Sequence, residues 1–492
     1  MKSRLYIIAV LSLVAFVTLV QAGSIFAGPA CPYPSAVKQP DGTEFQAILK
    51  GDEFINWAET EDGCPIIINE NTGFWEYGKL EPLKGLCPTG QVVGKDVPVG
   101  INKISAKDIE LSMPEESFKA PGFSSPLSKS PQFQFAPLNI TGPRKVMVIL
   151  VNFTDRTLTT TEAQWVSRIF GATDSLKQYF TEVSYSQCTL VPAEETYNTA
   201  NDGIVVVTLP RVHPSPGSAS ITNQQISKDA LVAADSYINY ASFDTNGSGT
   251  ITTDEVHFVV VVAGFERSYT VGYSPPYVWA HKSEVSSVGV PVLDGKQVGG
   301  WPGGYIQFGE LHGTTTTNHQ ATVGVIAHEF GHDCGTATIF YGLIDLYGSG
   351  SRGLGYWDTM ASGSWLYTTG YWGTTPCHFS AWCKYYMGWL TPTQITTSAN
   401  GVSFPQVETA TGADRGVKQI LNNPGGPEIG GTGEYFLIEN RQKVGYDAAL
   451  PGVGICIYHI DETQTSNSNA SRKLVDLEEA DGLNELDGSD RG

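Results

Sequence analysis

The sequence predicts an α+β fold: a core centred on one helix, with a strand-rich module before it and a strand-rich region after it. Three observations carry this. His328 and His332 flank Glu329 in a segment of helical period. Residues 28–105 break into short alternating segments around Gln39-Pro-Asp-Gly-Thr, Gly51-Asp-Glu-Phe and Gly73-Phe-Trp-Glu-Tyr, which read as strands. From 396 to 492 the pattern shifts to Gly, Thr and strand-like runs such as 434–439 and 453–460.

The elements follow in order. Lys2 and Arg4 precede an apolar run from Leu5 to Val20, and Val20-Gln21-Ala22 or Ile25-Phe26-Ala27 offers a small-residue cleavage site. Residues 1–27 therefore read as a secretory signal peptide, the other reading of the run being an uncleaved anchor. No second run of that length follows, so no stable membrane partner is expected. Residues 28–105 form the strand-rich module, and 106–137, rich in Ser, Pro and Lys, form a linker suited to processing. The core spans 138–395 and opens on the apolar run Val146–Val151, a buried strand.

The net charge of −20 excludes a nucleic-acid binder, which needs a basic footprint. Secretion permits disulfides, and the eight cysteines are an even number. Cys31, Cys64 and Cys87 fall in the N-terminal part and Cys188, Cys334, Cys377, Cys383 and Cys456 in the rest. Ordinary structural bridges are expected, with Cys377 and Cys383 as one local pair, and three against five requires either a bridge between the parts or a free thiol in each.

The chemistry concentrates at 328–332, His-Glu-Phe-Gly-His. Residues four apart on a helix share a face, so His328 and His332 converge on one cation, with Glu329 beside them as general base for its water. Val323, Ile326, Ala327 and Phe330 recur at helical spacing, Thr322 and Asn318 are start signals, and Gly335 is a stop. A third ligand must come from downstream: Asp333, Asp345 or Asp358. Asp333 projects about 100° away from His332 around the helix, so Asp345 and Asp358 remain, with Asp345 as the favoured ligand.

A second pattern lies at 244–255. Asp244, Asn246, Ser248, the Thr250 carbonyl and Glu255 fall at the spacing of a twelve-residue calcium loop, with Gly249 at the sharp turn. Segment 224–240 looks helical before it, and Val256–Val262 looks like a strand after it, so the expected calcium is structural.

Several blocks together resemble the immune-inhibitor-A family of secreted metalloproteases. Gly342-Leu343-Ile344-Asp345-Leu346-Tyr347 resembles the family's third-ligand stretch, and GLGYWDTMASGSW (353–365) resembles the segment whose Met, here Met360, lies under the metal. KVMVILVNFTD (145–155), SLKQYFTEVSYSQ (175–187), SAWCKYYMGWL (380–390), EYFLIENRQ (434–442), PGVGICIYHID (451–461) and LEEADG (477–482) follow the family order. In the family the third ligand stands about ten residues after the first His, where this chain has Thr338; an insertion from Cys334 to Tyr341 displaces it to Asp345.

The resemblance implies a zincin-like, metzincin-like catalytic domain with an N-terminal prodomain. It implies a zinc endopeptidase made as a zymogen, acting on protein or peptide substrates, with its own prodomain as inhibitor. Zinc would be held by His328, His332 and Asp345. Two other readings stand beside it: an inactive secreted binding or adhesion protein on the same scaffold, and a zinc hydrolase acting on something other than protein. His257, His281 and His459 read as packed or hydrogen-bonded residues, and the tyrosines near Met360, Tyr356 especially, are candidates to stabilise an oxyanion, a role the sequence leaves unassigned.

Overall fold

A computed structural model describes residues 28–113, 138–216, 221–272, 275–335, 342–348, 351–421 and 433–487. The signal peptide 1–27 and most of the linker, 114–137, lie outside the described residues, as does most of the insertion, 336–341. Among the described residues no helix is long and apolar enough to cross a membrane.

The N-terminal module is a six-stranded antiparallel meander: Ser35–Lys38, Glu44–Gly51, Asn56–Thr60, Pro65–Ile68, Trp75–Glu81 and Gly85–Val92, neighbours in space as in sequence. Its inward residues, among them Ala47, Leu49, Ala58, Ile66 and Tyr77, pack against Val271 and Trp279 of the following unit. The module's core is thus completed by the core it docks on. The stretch expected to be linker begins with a helix, Ala106–Ser112, where Ser105 and Asp108 form a capping box.

The central unit is an eight-stranded sheet. Its main path runs His281–Ser283, Tyr305–Gly313, His257–Glu266, Gly142–Phe153, Cys188–Pro192, and Ile204–Leu209 also pairs with Gly142–Phe153. The strands along this path are parallel except the edge strand His281–Ser283, which is antiparallel to Tyr305–Gly313. Parallel strands buried on both faces read as continuous apolar runs, and 146–151 does so. Val146, Val148 and Leu150 enter one core with helices Glu162–Phe170, Leu176–Val183 and Val323–Asp333. Met147, Ile149 and Val151 enter the other core, beneath helix Ile221–Ala233.

The C-terminal strands Thr393–Ile395, Lys418–Ile420, Glu434–Arg441, Gly454–Asp461 and Val475–Leu477 form a five-stranded sheet. It shares its apolar core with the histidine helix Val323–Asp333: Leu437 and Tyr458 belong to the same cluster as Phe330 and Met360. Arg441, fully buried, binds Asp447 at 2.6 Å and donates to the Trp357 carbonyl at 3.1 Å, tying this sheet to the loop under the helix. The molecule is a mixed α+β structure with several sheets and few helices.

The cysteines correct one expectation. Cys377 and Cys383 are free thiols, and Cys383 donates to Asp358 at 3.4 Å instead of bridging to Cys377. Burial pushes the Cys377 and Cys383 thiols well above the ordinary range, so they behave as small core residues.

Candidate metal centre

Helix Val323–Asp333 is buried along its entire length, in keeping with its apolar spacing. It starts at Thr322, whose hydroxyl donates to the Trp372 carbonyl at 3.0 Å and makes no capping bond. The other end sets the geometry of the site. The last carbonyls of a helix need partners. Here Gly342 N–H donates to the His332 carbonyl at 2.8 Å and Leu343 N–H to the Gly331 carbonyl at 2.9 Å. The returning chain therefore caps the helix, and two residues later Asp345 arrives at the histidines. A Cβ on Gly342 would sit 2.4 Å from the Gly331 carbonyl oxygen, so only glycine allows this approach. Gly342→Ala is expected to displace Asp345 and lower metal affinity about 10–100-fold, measured by competition with a chelator.

His328 Nδ1 donates to the Thr359 carbonyl at 2.7 Å and His332 Nδ1 to the Leu343 carbonyl at 2.8 Å. Each bond fixes the tautomer and leaves the Nε2 lone pair facing inward. The two Nε2 atoms stand 3.1 Å apart, and Asp345 Oδ1 lies 3.2 and 3.4 Å from them. Tetrahedral ligands about 2.05 Å from zinc would be about 3.3 Å from one another, so three converging acceptors at this spacing fit such a cation. Burial keeps His332 neutral by lowering its pKa, although Asp345 pulls the other way. Burial pushes Asp345 upward, but the two histidines hold it, on balance, below the ordinary carboxylate value.

Below the histidines, Met360 is fully buried, and its sulfur would lie 2.7 Å from a Cβ on Gly331. The Met360 carbonyl accepts from Leu346 N–H at 2.9 Å, which joins this loop to the Asp345 segment. Asp358 is turned away from the centre: its oxygens accept from Met360 N–H at 2.6 Å and Ser380 N–H at 2.8 Å. Asp333 points to the back of the helix, where Lys282 Nζ stands at 2.6 Å and His257 Nδ1 at 2.7 Å. His281 bonds the Trp279 carbonyl and His459 pairs with Glu434, so the three additional histidines are structural.

Glu329 is buried beside the centre, with Oε1 accepting from Gly28 N–H at 2.6 Å. Burial first and the Asp345 charge second push its pKa well above the ordinary value, while the Gly28 and Lys282 backbone groups draw it down. The stretch from Gly28 onward is tied to the core by two indoles. The indole of Trp279 donates to the Gly28 carbonyl at 3.0 Å, and that of Trp365 to the Pro29 carbonyl at 2.8 Å. Farther on, Tyr33 packs among Tyr356, Tyr367 and Trp372. Tyr356 is thus engaged with Tyr33. The tyrosine next to the histidines is Tyr347, with its ring centroid 6.4 Å from that of His328. It sits two residues after Asp345, in a block the sequence had singled out only for its ligand.

The loop at 244–255 folds around Gly249, at φ +81°. Asp244 accepts from Ser248 and Gly249 N–H at 2.9 and 3.0 Å, and Asn246 Oδ1 from Ser248 N–H at 2.8 Å. Glu255 accepts from Thr245 N–H at 2.8 Å, and the Ser248 hydroxyl donates to the Thr250 carbonyl at 2.8 Å. The five residues do come into one loop, but Lys296 Nζ lies 2.6 Å from Asp244 and supplies the positive charge there. The preceding helix, Ile221–Ala233, is shorter than the sequence suggested.

Residues 218–390 match the family model described as "Immune inhibitor A peptidase M6, catalytic domain". Among curated proteins, the pre-pro-metalloprotease PrtV, from two strains of Vibrio cholerae serotype O1, is 30% identical over 190 residues. That stretch covers 35% of this chain and 19% of PrtV, so the chain spans about a fifth of the length of the curated relatives it matches. The stretch matched by the family model contains the histidine helix, the returning Asp345 segment and the Met360 loop, so residues 218–390 are similar to the immune inhibitor A peptidase catalytic domain.

Proposed function

We propose that the chain is a secreted zinc endopeptidase with a zincin-like catalytic domain, held latent by its N-terminal module. The observation that carries this reading is the convergence of His328 Nε2, His332 Nε2 and Asp345 Oδ1 within 3.4 Å of one another beside a buried Glu329. Zinc held there would polarise the scissile carbonyl and acidify the attacking water. Glu329 takes the proton from that water and passes it to the leaving amine. Tyr347, whose ring centroid lies 6.4 Å from that of His328, would be the group to donate to the developing oxyanion. The edge strand His281–Ser283 offers an extended backbone along which a peptide can align.

The bond from Gly28 to Glu329 supports latency, because it seats the N-terminal segment against the base and His328, where a substrate would have to lie. A cut in the linker 106–137 would separate the module from the core. The test is the zinc content of the purified secreted chain, with hydrolysis of unfolded casein before and after that cut. About one zinc per chain, with cleavage that appears on processing and vanishes with chelator, upholds the reading. Zinc without cleavage after processing transfers it to a binding protein on the same scaffold.

Calcium at 244–255 is proposed as a stabilising ion that must displace Lys296 from Asp244. Calcium is therefore expected to raise the thermal midpoint only at about 10⁻⁴–10⁻³ M, the range of extracellular modules, and at lower concentration in Lys296→Met. No shift in either protein removes calcium from the account.

A further inference from the structure

Tyr33, on the stretch that follows Gly28, is set into an aromatic pocket of the central unit. Its ring stacks on Tyr356 at 6.1 Å between centroids and on Trp372 at 5.3 Å, and stands edge-on to Tyr367 at 5.5 Å. At these separations aromatic pairs attract one another beyond what simple burial supplies. Tyr356 is buried beneath this cover, whereas Tyr367 stays 38% exposed, so the pocket has a closed floor and an open rim.

The walls of the pocket belong to the core and are fixed to the histidine helix. Loop 366–374, which carries Tyr367 and Trp372, closes on itself through Gly373 N–H to the Trp365 carbonyl at 3.0 Å. The Trp372 carbonyl accepts from the Thr322 hydroxyl at 3.0 Å, and the Gly373 carbonyl from Gly324 N–H at 2.9 Å. A Cβ on Gly373 would lie 2.5 Å from that hydroxyl, so the loop comes as close to the helix start as glycine permits. Gly324 and His328 are about one turn apart, about 6 Å along the helix axis. The occupant is tied to the same place, since Tyr33 stands five residues after Gly28, whose N–H binds Glu329. Five extended residues span at most about 18 Å, so the pocket lies within the length of one short peptide seated at the base.

We propose that the pocket filled by Tyr33 is a subsite for an aromatic side chain of the substrate, open only once the N-terminal module has left. This rests on the metallopeptidase reading and adds a substrate class to it. In the latent chain Tyr33 is itself the ligand of the pocket. Its departure uncovers the faces of Tyr356 and Trp372 together with Tyr367. An uncovered aromatic patch within peptide length of a catalytic base favours a flat apolar group.

The test uses the processed protein and fluorogenic peptides of one scaffold that carry Phe or Ala at each position in turn. At a position within about five residues of the cleaved bond, Phe is expected to be favoured over Ala about tenfold in kcat/KM, chiefly through KM. Tyr367→Ala brings that ratio near one, and Tyr367→Phe keeps it. A peptide of residues 28–37 is expected to inhibit casein hydrolysis about tenfold better than the same peptide with Tyr33→Ala. Equal inhibition by the two, or a preference for Phe that is absent or survives Tyr367→Ala unchanged, overturns the inference. Tyr33 is then an anchor of the module only, and the metallopeptidase reading stands. If the processed protein cleaves neither the peptides nor casein, that reading fails and takes the inference with it.

Discussion

Glu329→Ala, in the processed protein, is expected to keep its zinc and its fold but to lose about 10²–10⁴-fold in kcat/KM on unfolded casein. Glu329 is not among the three converging ligand atoms, so its removal leaves His328, His332 and Asp345 in place. Their support is also independent of it: the histidines are oriented by the Thr359 and Leu343 carbonyls and Asp345 by the chain that caps the helix. What disappears is the only side chain of the helix beside the centre that can carry a proton from water to an amine. Zinc content and turnover measured on one preparation decide the matter. Loss of zinc together with activity would make Glu329 a structural support; retention of activity would assign proton transfer elsewhere.

The histidine helix and the return of Asp345 to it were legible because both depend on local rules. A 3.6-residue period buries Val323, Ile326, Ala327 and Phe330, and the same period aligns His328 with His332. Asp345 stayed legible despite the inserted residues, since a glycine at 342 and a leucine at 343 mark the segment that returns to the helix end. Long-range pairings were not legible. The bond from Gly28 to Glu329 spans 301 residues, and the partners of Asp333, His257 and Lys282, come from two separate strands. The calcium spacing was read from oxygen atoms alone and gave no warning of Lys296, which enters from a two-residue strand of another hairpin. The cysteine count suggested bridges, whereas buried thiols such as Cys334 and Cys383 fill apolar sites with no second cysteine bonded to them.

Asp333→Ala is expected to be the most destabilising substitution near the centre, lowering stability by about 3–5 kcal/mol and shifting the urea midpoint accordingly. Asp333 and Lys282 have side chains 1% and 0% exposed, and the ammonium lies 2.6 Å from the carboxylate, with a further bond to the Gly303 carbonyl at 2.7 Å. Burial alone would raise the Asp333 pKa, but Lys282 and His257 outweigh it and hold the group ionised. Removing the carboxylate strands an ammonium in the core, which costs more than the pair contributes. Replacing both residues, as Asp333→Leu with Lys282→Met, should therefore recover most of the loss. If the double variant is no more stable than Asp333→Ala, the cost lies in packing and the charge argument falls. The pair also bears on the site: Lys282 sits on the edge strand and Asp333 directly follows His332, so this bond holds the histidine helix against the strand proposed to align the substrate. Asp333→Ala should accordingly weaken zinc binding as well as stability, even though Asp333 faces away from the metal.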